Sequence, residues 1–360
     1  MTPLHRIVAE EIALNGPMTL GRYMGLCLGH PQYGYYMTRD PFGAAGDFIT
    51  APEVSQLFGE MIGAWLADTW RRLGRPQQCA LVEAGPGRGT LMADILRATR
   101  RVTGFHDAVH IYLLEMSPVL REKQRVMLAG YPVTWCDSLD DVPADRPLLF
   151  VANEFLDALP VEQLEWRGAG WMQRAVGTDP DNSLHTGLKE PEPTLVSSIG
   201  TLTAKPETGD VIELSPAITV FIHELLERIK KQTGAGLFID YGYAKTAFGD
   251  TLQALNSHQP VSLFHRPGES DMTAHVNFGR VAAQFGAMGL CASKIIGQGA
   301  FLKTLGIETR LAQLLAQADA VQAARLRSGY ERLIAPEQMG TLFKVLGFCH
   351  DPGMTLAGLE

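Results

Sequence analysis

The chain has 360 residues, of which 46% are hydrophobic and 19% charged, and a formal net charge of −8. That composition describes a globular chain with a large core, and the acidic balance without a basic block argues against a nucleic acid backbone as partner. The longest apolar stretches, 148–152 and 237–239, are far too short to cross a bilayer.

Met1-Thr2-Pro3-Leu4-His5-Arg6 runs into acidic residues and not into a signal-peptide core, and the segment is not an Arg-rich, acid-poor transit peptide. A cytoplasmic protein is therefore expected. Cys27, Cys79, Cys136, Cys291 and Cys349 are scattered, odd in number and lack a Cys-x-x-Cys pair, so they read as reduced and mostly buried.

In chain order, residues 1–75 alternate short helices with aromatic turns, the stiffest being His30-Pro31-Gln32-Tyr33-Gly34-Tyr35-Tyr36. Thr50-Ala51-Pro52-Glu53 matches a capping box with proline in the first turn, which predicts a long helix from Thr50. Its stripe of Val54, Leu57, Phe58, Met61, Ile62, Trp65, Leu66 and Leu73 is core. Gly46, Asp47 and Thr50 lie beside that helix start, which can accept a carboxylate.

From residue 79 strands and helices alternate, predicting a mostly parallel sheet covered on both faces. Strands are expected at 79–83, 111–115, 133–135, 147–152 and 237–239, each leading into a polar or acidic residue, where open α/β sheets bind ligands. An inserted β hairpin is expected at about 161–207 and an added helix, part of a lid, within about 300–335. Met339, Leu342, Phe343 and Leu346 suggest a last helix before a short edge strand.

Leu81-Val82-Glu83-Ala84-Gly85-Pro86-Gly87-Arg88-Gly89 joins an apolar strand to a glycine-rich turn and then to an amphipathic helix. Gly85, Gly87 and Gly89 let the backbone approach a ligand, and the helix start turns unpaired N–H groups toward it. Thr90 stands where the dinucleotide fingerprint needs a third glycine. The acidic-x-Gly-x-Gly-x-Gly string resembles instead motif I of S-adenosylmethionine-dependent methyltransferases. On that reading Glu83 orients the methionine amino end, Glu115 accepts both ribose hydroxyls, and Asp137 meets the adenine amino group, with Asp140 and Asp141 close by as competitors.

Four strings carry a wider resemblance: 46–53, 83–92, Asn153-Glu154-Phe155-Leu156-Asp157-Ala158-Leu159-Pro160, and Thr273-Ala274-His275-Val276-Asn277-Phe278. They are similar, nearly end to end, to the MidA-like family of class I methyltransferases. The resemblance implies a Rossmann-like α/β fold with a mostly parallel seven-stranded sheet, an N-terminal helical extension (1–75) contributing to the cofactor pocket, and a core over 76–360. It implies S-adenosyl-L-methionine as cofactor, in a pocket formed by Gly46, Thr50, Pro52, Glu83, Gly85, Gly87 and Gly89 together with Glu115, Met116, Asp137, Ser138 and Asn153. It also implies a protein arginine as acceptor, since mitochondrial members serve assembly of respiratory complex I.

A guanidinium is planar, charged and almost never deprotonated in water, so an enzyme must hold it with carboxylates that leave one nitrogen nucleophilic. Glu154 and Asp157, after the fourth strand, are the pair suited to this, although Asp157 could instead cap a short helix; Glu213 is held in reserve. His223-Glu224-Leu225-Leu226-Glu227 lacks the second histidine of a zinc helix, so no metal site is assigned. His275 reads as a helix-face histidine or a substrate contact, Tyr33, Tyr35 and Tyr36 as a packed turn, and Asp240-Tyr241-Gly242 as a minor candidate for lining the cleft. Methylation of a small metabolite, or an assembly factor that only binds the cofactor, are the alternatives.

Overall fold

The computed structural model describes residues 1–41, 49–200, 202 and 204–360. Its central strands are apolar on both faces, which is why they appear as unbroken hydrophobic runs in the sequence. In β1 (Cys79–Ala84), Cys79 and Leu81 enter the core on one face while Ala80, Val82 and Ala84 enter the core on the other. The same period of two sorts β2 (Val109–Leu114), β3 (Val133–Cys136), β4 (Leu148–Asn153) and β5 (Gly234–Tyr243). With β6 (Cys291–Ala292) and β7 (Phe343–Cys349) the order is β3-β2-β1-β4-β5-β7-β6. The first five are parallel; β7 runs antiparallel to β5 and β6 antiparallel to β7, so the sheet is mixed. Short strands Val276–Asn277 and Ile296–Gly297 add to β5 and β7.

Helices α1 (Pro3–Asn15) and α2 (Leu20–Gly29) share a small core with the inserted segment, through Leu4, Val8, Tyr23, Val161 and Val176. α3 (Gln56–Arg72) and α4 (Thr90–Thr99) cover one face of the sheet. α5 (Pro118–Met127) starts at Ser117, whose hydroxyl accepts the Leu120 N–H. α6 (Pro216–Gln232) and α7 (Phe278–Ala287) cover the opposite face through Ile222, Leu225, Phe278 and Phe285. α8 (Ile307–Leu315) and α9 (Ala320–Ile334) return to the α3 side. No helix among the described residues is long and apolar enough to cross a membrane.

The inserted segment forms an accessory antiparallel sheet. Strands Glu162–Trp166 and Trp171–Thr178 make a hairpin, Val211–Leu214 pairs with the first, and Leu184–Lys189 and Met18–Thr19 pair with the second. The N-terminal segment thereby contributes a strand to the insertion.

Three local expectations are corrected. The helix expected from Thr50 is one turn, Ala51–Val54, because Ser55 adopts an extended conformation (φ −162°, ψ 137°) and caps α3 itself. Thr50 makes no capping bond, and Glu53, instead of closing the box, accepts the Thr90 hydroxyl at 2.5 Å. The single helix expected near 308–332 is two, since Asp319 and Gln322 form a capping box that restarts the chain, and Val321 is exposed. Finally, the expected last helix is only one turn, Pro336–Gly340, and the strand after it is interior and not at an edge: Phe343 and Val345 face one core while Leu346 and Phe348 face the other.

Buried Glu60 on α3 fastens α8 to the core, accepting from Arg310 Nε at 2.7 Å and from Arg97 Nη1 at 2.6 Å. Those partners outweigh burial and hold its carboxyl below the usual range. Glu60→Gln is expected to cost about 1–3 kcal/mol, read by urea unfolding, and to raise amide exchange across 307–315 before the rest of the chain.

Candidate functional site

The strand order reverses between β2 and β4 on either side of β1, so the turn after β1 opens into the crevice that such sheets use for ligands. Gly85, Gly87 and Gly89 all have left-handed φ, at 65°, 54° and 86°. This is a conformation L side chains rarely adopt. A Cβ on Gly85 would also lie 2.9 Å from Phe155 Cδ2. Gly89 is the N-cap of α4, so the first N–H groups of that helix border the turn.

A cleft beside the turn is lined by Thr50, Pro52, Glu83, Gly85, Gly87 and Asn153, with Glu154 at its edge. Glu83 is buried and its Oε2 has no hydrogen-bond partner; burial first, then the charge of Glu115, pushes its pKa up to about 8. Asn153 likewise leaves Oδ1 unpartnered. A buried acceptor without a donor is costly, so both mark a place for an incoming N–H or O–H.

Glu115, at the end of β2, accepts the Ser117 N–H at 2.7 Å and the Gln124 amide at 3.1 Å, and burial pushes its pKa up to about 7. Gln124 also donates to the Gly87 carbonyl at 2.7 Å and accepts the Trp135 indole N–H at 2.8 Å, bracing the turn against β2 and β3. Sequence reasoning missed it; the available signal was an amide on the inner face of α5. Met116 is exposed. Asp137 is exposed and paired with Arg121 at 2.6 Å, while Asp141, not Asp137, accepts the Asp137 and Ser138 N–H groups. Gly46 and Asp47 lie outside the described residues.

Past β4 the chain carries its two candidate catalytic acids. Glu154 is in the left-handed region (φ 50°) and its Oε1 accepts from Ala51 N at 2.9 Å and Asn153 Nδ2 at 3.1 Å. Burial pushes its pKa up to about 7. Asp157 accepts the Tyr241 hydroxyl on Oδ2 at 2.5 Å and leaves Oδ1 unpartnered; burial raises its pKa. Behind both, Asp240 Oδ2 accepts the N–H groups of Phe155, Leu156 and Asp157 at 3.1, 3.0 and 3.2 Å.

The reserve candidate Glu213 is fully engaged by Gln163, Thr251 and Leu252, so it braces the insertion. His275 is half-buried with its ring edge against Tyr241, and burial lowers its pKa. Tyr35 is buried against Tyr36, whose carbonyl accepts the Ser117 hydroxyl at 2.6 Å; Tyr33 is exposed.

The fold and the glycine-turn cleft are those of an S-adenosylmethionine-dependent methyltransferase. The family described as "Putative S-adenosyl-L-methionine-dependent methyltransferase" matches residues 61–295. "Protein arginine methyltransferase NDUFAF7, mitochondrial" of Danio rerio is 36% identical, with 94% of this chain and 84% of that protein aligned. The Homo sapiens protein of the same name is 34% identical over 95% of this chain and 82% of its own. A COG1565 superfamily member from Burkholderia thailandensis, solved with S-adenosyl-homocysteine bound, superimposes with a TM-score of 0.87 at 28% identity, covering 99% of this chain and 94% of that one. The chain belongs to this methyltransferase family, and S-adenosylmethionine is its cofactor. The mitochondrial names of these relatives overturn the cytoplasmic expectation, which rested on the composition of a few N-terminal residues.

The orphaned Glu83 and the glycine cradle make a test. A carboxyl whose folded pKa lies near 8 instead of near 4.5 stabilises the fold fully only below pH 4.5, and that contribution is lost as pH rises through 8. Ligand-free Glu83→Gln is therefore expected to melt above wild type at pH 8.5, by roughly 2–5 °C, and to bind S-adenosylmethionine about tenfold more weakly or worse, measured by scanning calorimetry and titration calorimetry.

Proposed function

We propose that the chain methylates an arginine side chain of a protein, with a subunit of respiratory complex I as the acceptor protein. The observation that carries this is the pair Glu154 and Asp157, acids three positions apart in one loop: Glu154 lines the cofactor cleft, and the buried Asp157 leaves Oδ1 unpartnered. The names of the NDUFAF7 relatives support the arginine and, through it, the complex I subunit.

In this reading residues 76–360 form the catalytic core and residues 1–75 add Thr50 and Pro52 to the wall of the pocket. Glu83 and Asn153 hold the methionine end, the glycine turn lets the backbone close on it, Glu115 takes the ribose, and Met116, Asp137 and Ser138 border the base. Bound there, S-adenosylmethionine supplies a methyl group carried on a sulfonium.

Glu154 and Asp157 do the rest by charge and geometry. Two carboxylates accepting N–H bonds from a guanidinium confine its positive charge and leave the remaining nitrogen with more of its lone pair. The methylated nitrogen then sheds a proton, and Glu154, with a pKa near neutrality, is matched to take it.

Transfer of labelled methyl from S-adenosylmethionine into mitochondrial protein, followed by mass spectrometry of the labelled band, tests the reading; label on residues other than arginine, or on small molecules alone, rejects it. Glu154→Gln is expected to lower kcat by about 100-fold or more while cofactor affinity stays within about threefold. In wild type, kcat/KM for acceptor should rise with pH through about 7 as Glu154 ionises, and the Gln variant should lose that limb.

A further inference from the structure

A cavity of about 380 Å³ lies between the accessory sheet and helices α6 and α7, a size typical of a small-ligand site. Its deep end is formed by Leu156, Asp157, Ala274 and Val281, all buried, and its mouth by the exposed Glu192, Thr194, Thr219 and Val220. Between them Leu159, Leu195, Leu214 and Ile218 form an apolar stretch of wall, beside polar residues that include Gln173, His275, Asn277 and Gln284.

The polar groups of the cavity divide into spent and open ones. Glu213 has both oxygens engaged, and Glu162 Oε2 accepts the Gln173 amide at 3.1 Å. Arg280 gives both terminal guanidinium nitrogens to the carbonyls of Ser198 and Ile199, leaving only Nε without a partner. Asp157 is 6% exposed, lines the deep end, and keeps Oδ1 unpartnered. An open mouth, an apolar stretch along one wall and a buried acid form the complement of a long side chain with methylenes along its stem and a cation at its tip.

We propose that this cavity admits the acceptor side chain, with the arginine stem along Leu159, Leu214 and Ile218 and the guanidinium on Asp157. The assignment rests on the arginine reading above and adds the route. The loop after β4 has one side in each compartment: Asn153 and Glu154 line the cofactor cleft, while Leu156 and Asp157 line the cavity. Acceptor and cofactor thus meet the same five-residue segment, 153–157, through different residues of it.

The test narrows the mouth without touching the acids. Thr219→Trp on α6 and Thr194→Trp on the insertion place an indole at the entrance from two different elements. Methyl transfer into a pool of arginine-containing peptides should show KM raised at least about tenfold in each variant, with S-adenosylmethionine affinity within about twofold of wild type and with Glu224→Trp, on α6 but outside the cavity lining, unchanged. N-acetyl-arginine amide should bind wild type saturated with S-adenosyl-homocysteine, fail to bind either Trp variant, and be preferred over the neutral N-acetyl-citrulline amide. Unchanged KM in both Trp variants, or equal binding of the citrulline compound, overturns the assignment while leaving arginine methylation standing. If wild type binds cofactor but methylates no arginine peptide, the arginine reading and this route fall together.

Discussion

One carboxylate oxygen holds three consecutive backbone N–H groups at the centre of this molecule. Asp240 Oδ2 accepts from Phe155, Leu156 and Asp157, and Oδ1 accepts the Tyr241 N–H at 2.9 Å. The loop needs this fastening because Glu154 occupies a left-handed conformation that costs a non-glycine residue about 1 kcal/mol or more. Asp240 can provide it because β5 lies parallel to β4 with Ile239 opposite Asn153, and the Glu154 N–H closes on the Ile239 carbonyl at 2.9 Å. Once held, the loop sets Phe155 against Gly85, where no Cβ would fit, so the acid loop and the glycine turn interlock.

Five acids gather at these strand ends: Glu83, Glu115, Glu154, Asp157 and Asp240. Burial raises the pKa of every one, and several raise their neighbours further. Such a cluster opposes folding whenever it is ionised and unaccompanied. Its natural counterweights are cations and donors brought from outside: an ammonium, a sulfonium, ribose hydroxyls, a guanidinium. An empty site therefore carries the cost of burying these acids, and a positively charged ligand would offset it.

How much of this is legible in the sequence follows from how each residue is surrounded. Strands buried on both faces write continuous apolar runs, so 79–84 and 148–153 and the polar residues that end them can be located without coordinates. Double burial misleads at 343–349, where Phe343 and Leu346 fall at helical spacing from Met339 and the exposed Leu342 although both belong to a strand with both faces covered. Local capping rules fail where a tertiary partner outbids them, as Thr90 does for Glu53. Asp240 is visible as an acid on a strand, but its importance depends on three N–H groups more than 80 positions earlier, which no local pattern encodes. Gln124 is silent for the same reason, since its three partners come from the turn, from β2 and from β3.

The N-terminal segment connects the two compartments of the site mechanically. Met18–Thr19 is a strand of the accessory sheet, and α1 and α2 share a core with it, so the sheet that borders the cavity is braced by the N-terminal segment. Farther along, the Ala51 N–H fixes Glu154, and Glu53 in the same turn holds Thr90 at the start of α4, beside the glycine turn. The turn 51–54 therefore touches an acid of the loop with its first residue and the cofactor-side helix with its third. A ligand that orders the glycine turn restrains α4, hence Glu53, hence the N–H that aims Glu154. The connection runs through two hydrogen bonds and the three residues 51–53, so that on the proposed reading Glu154 and the start of the cofactor-side helix are tied to one short stretch of backbone.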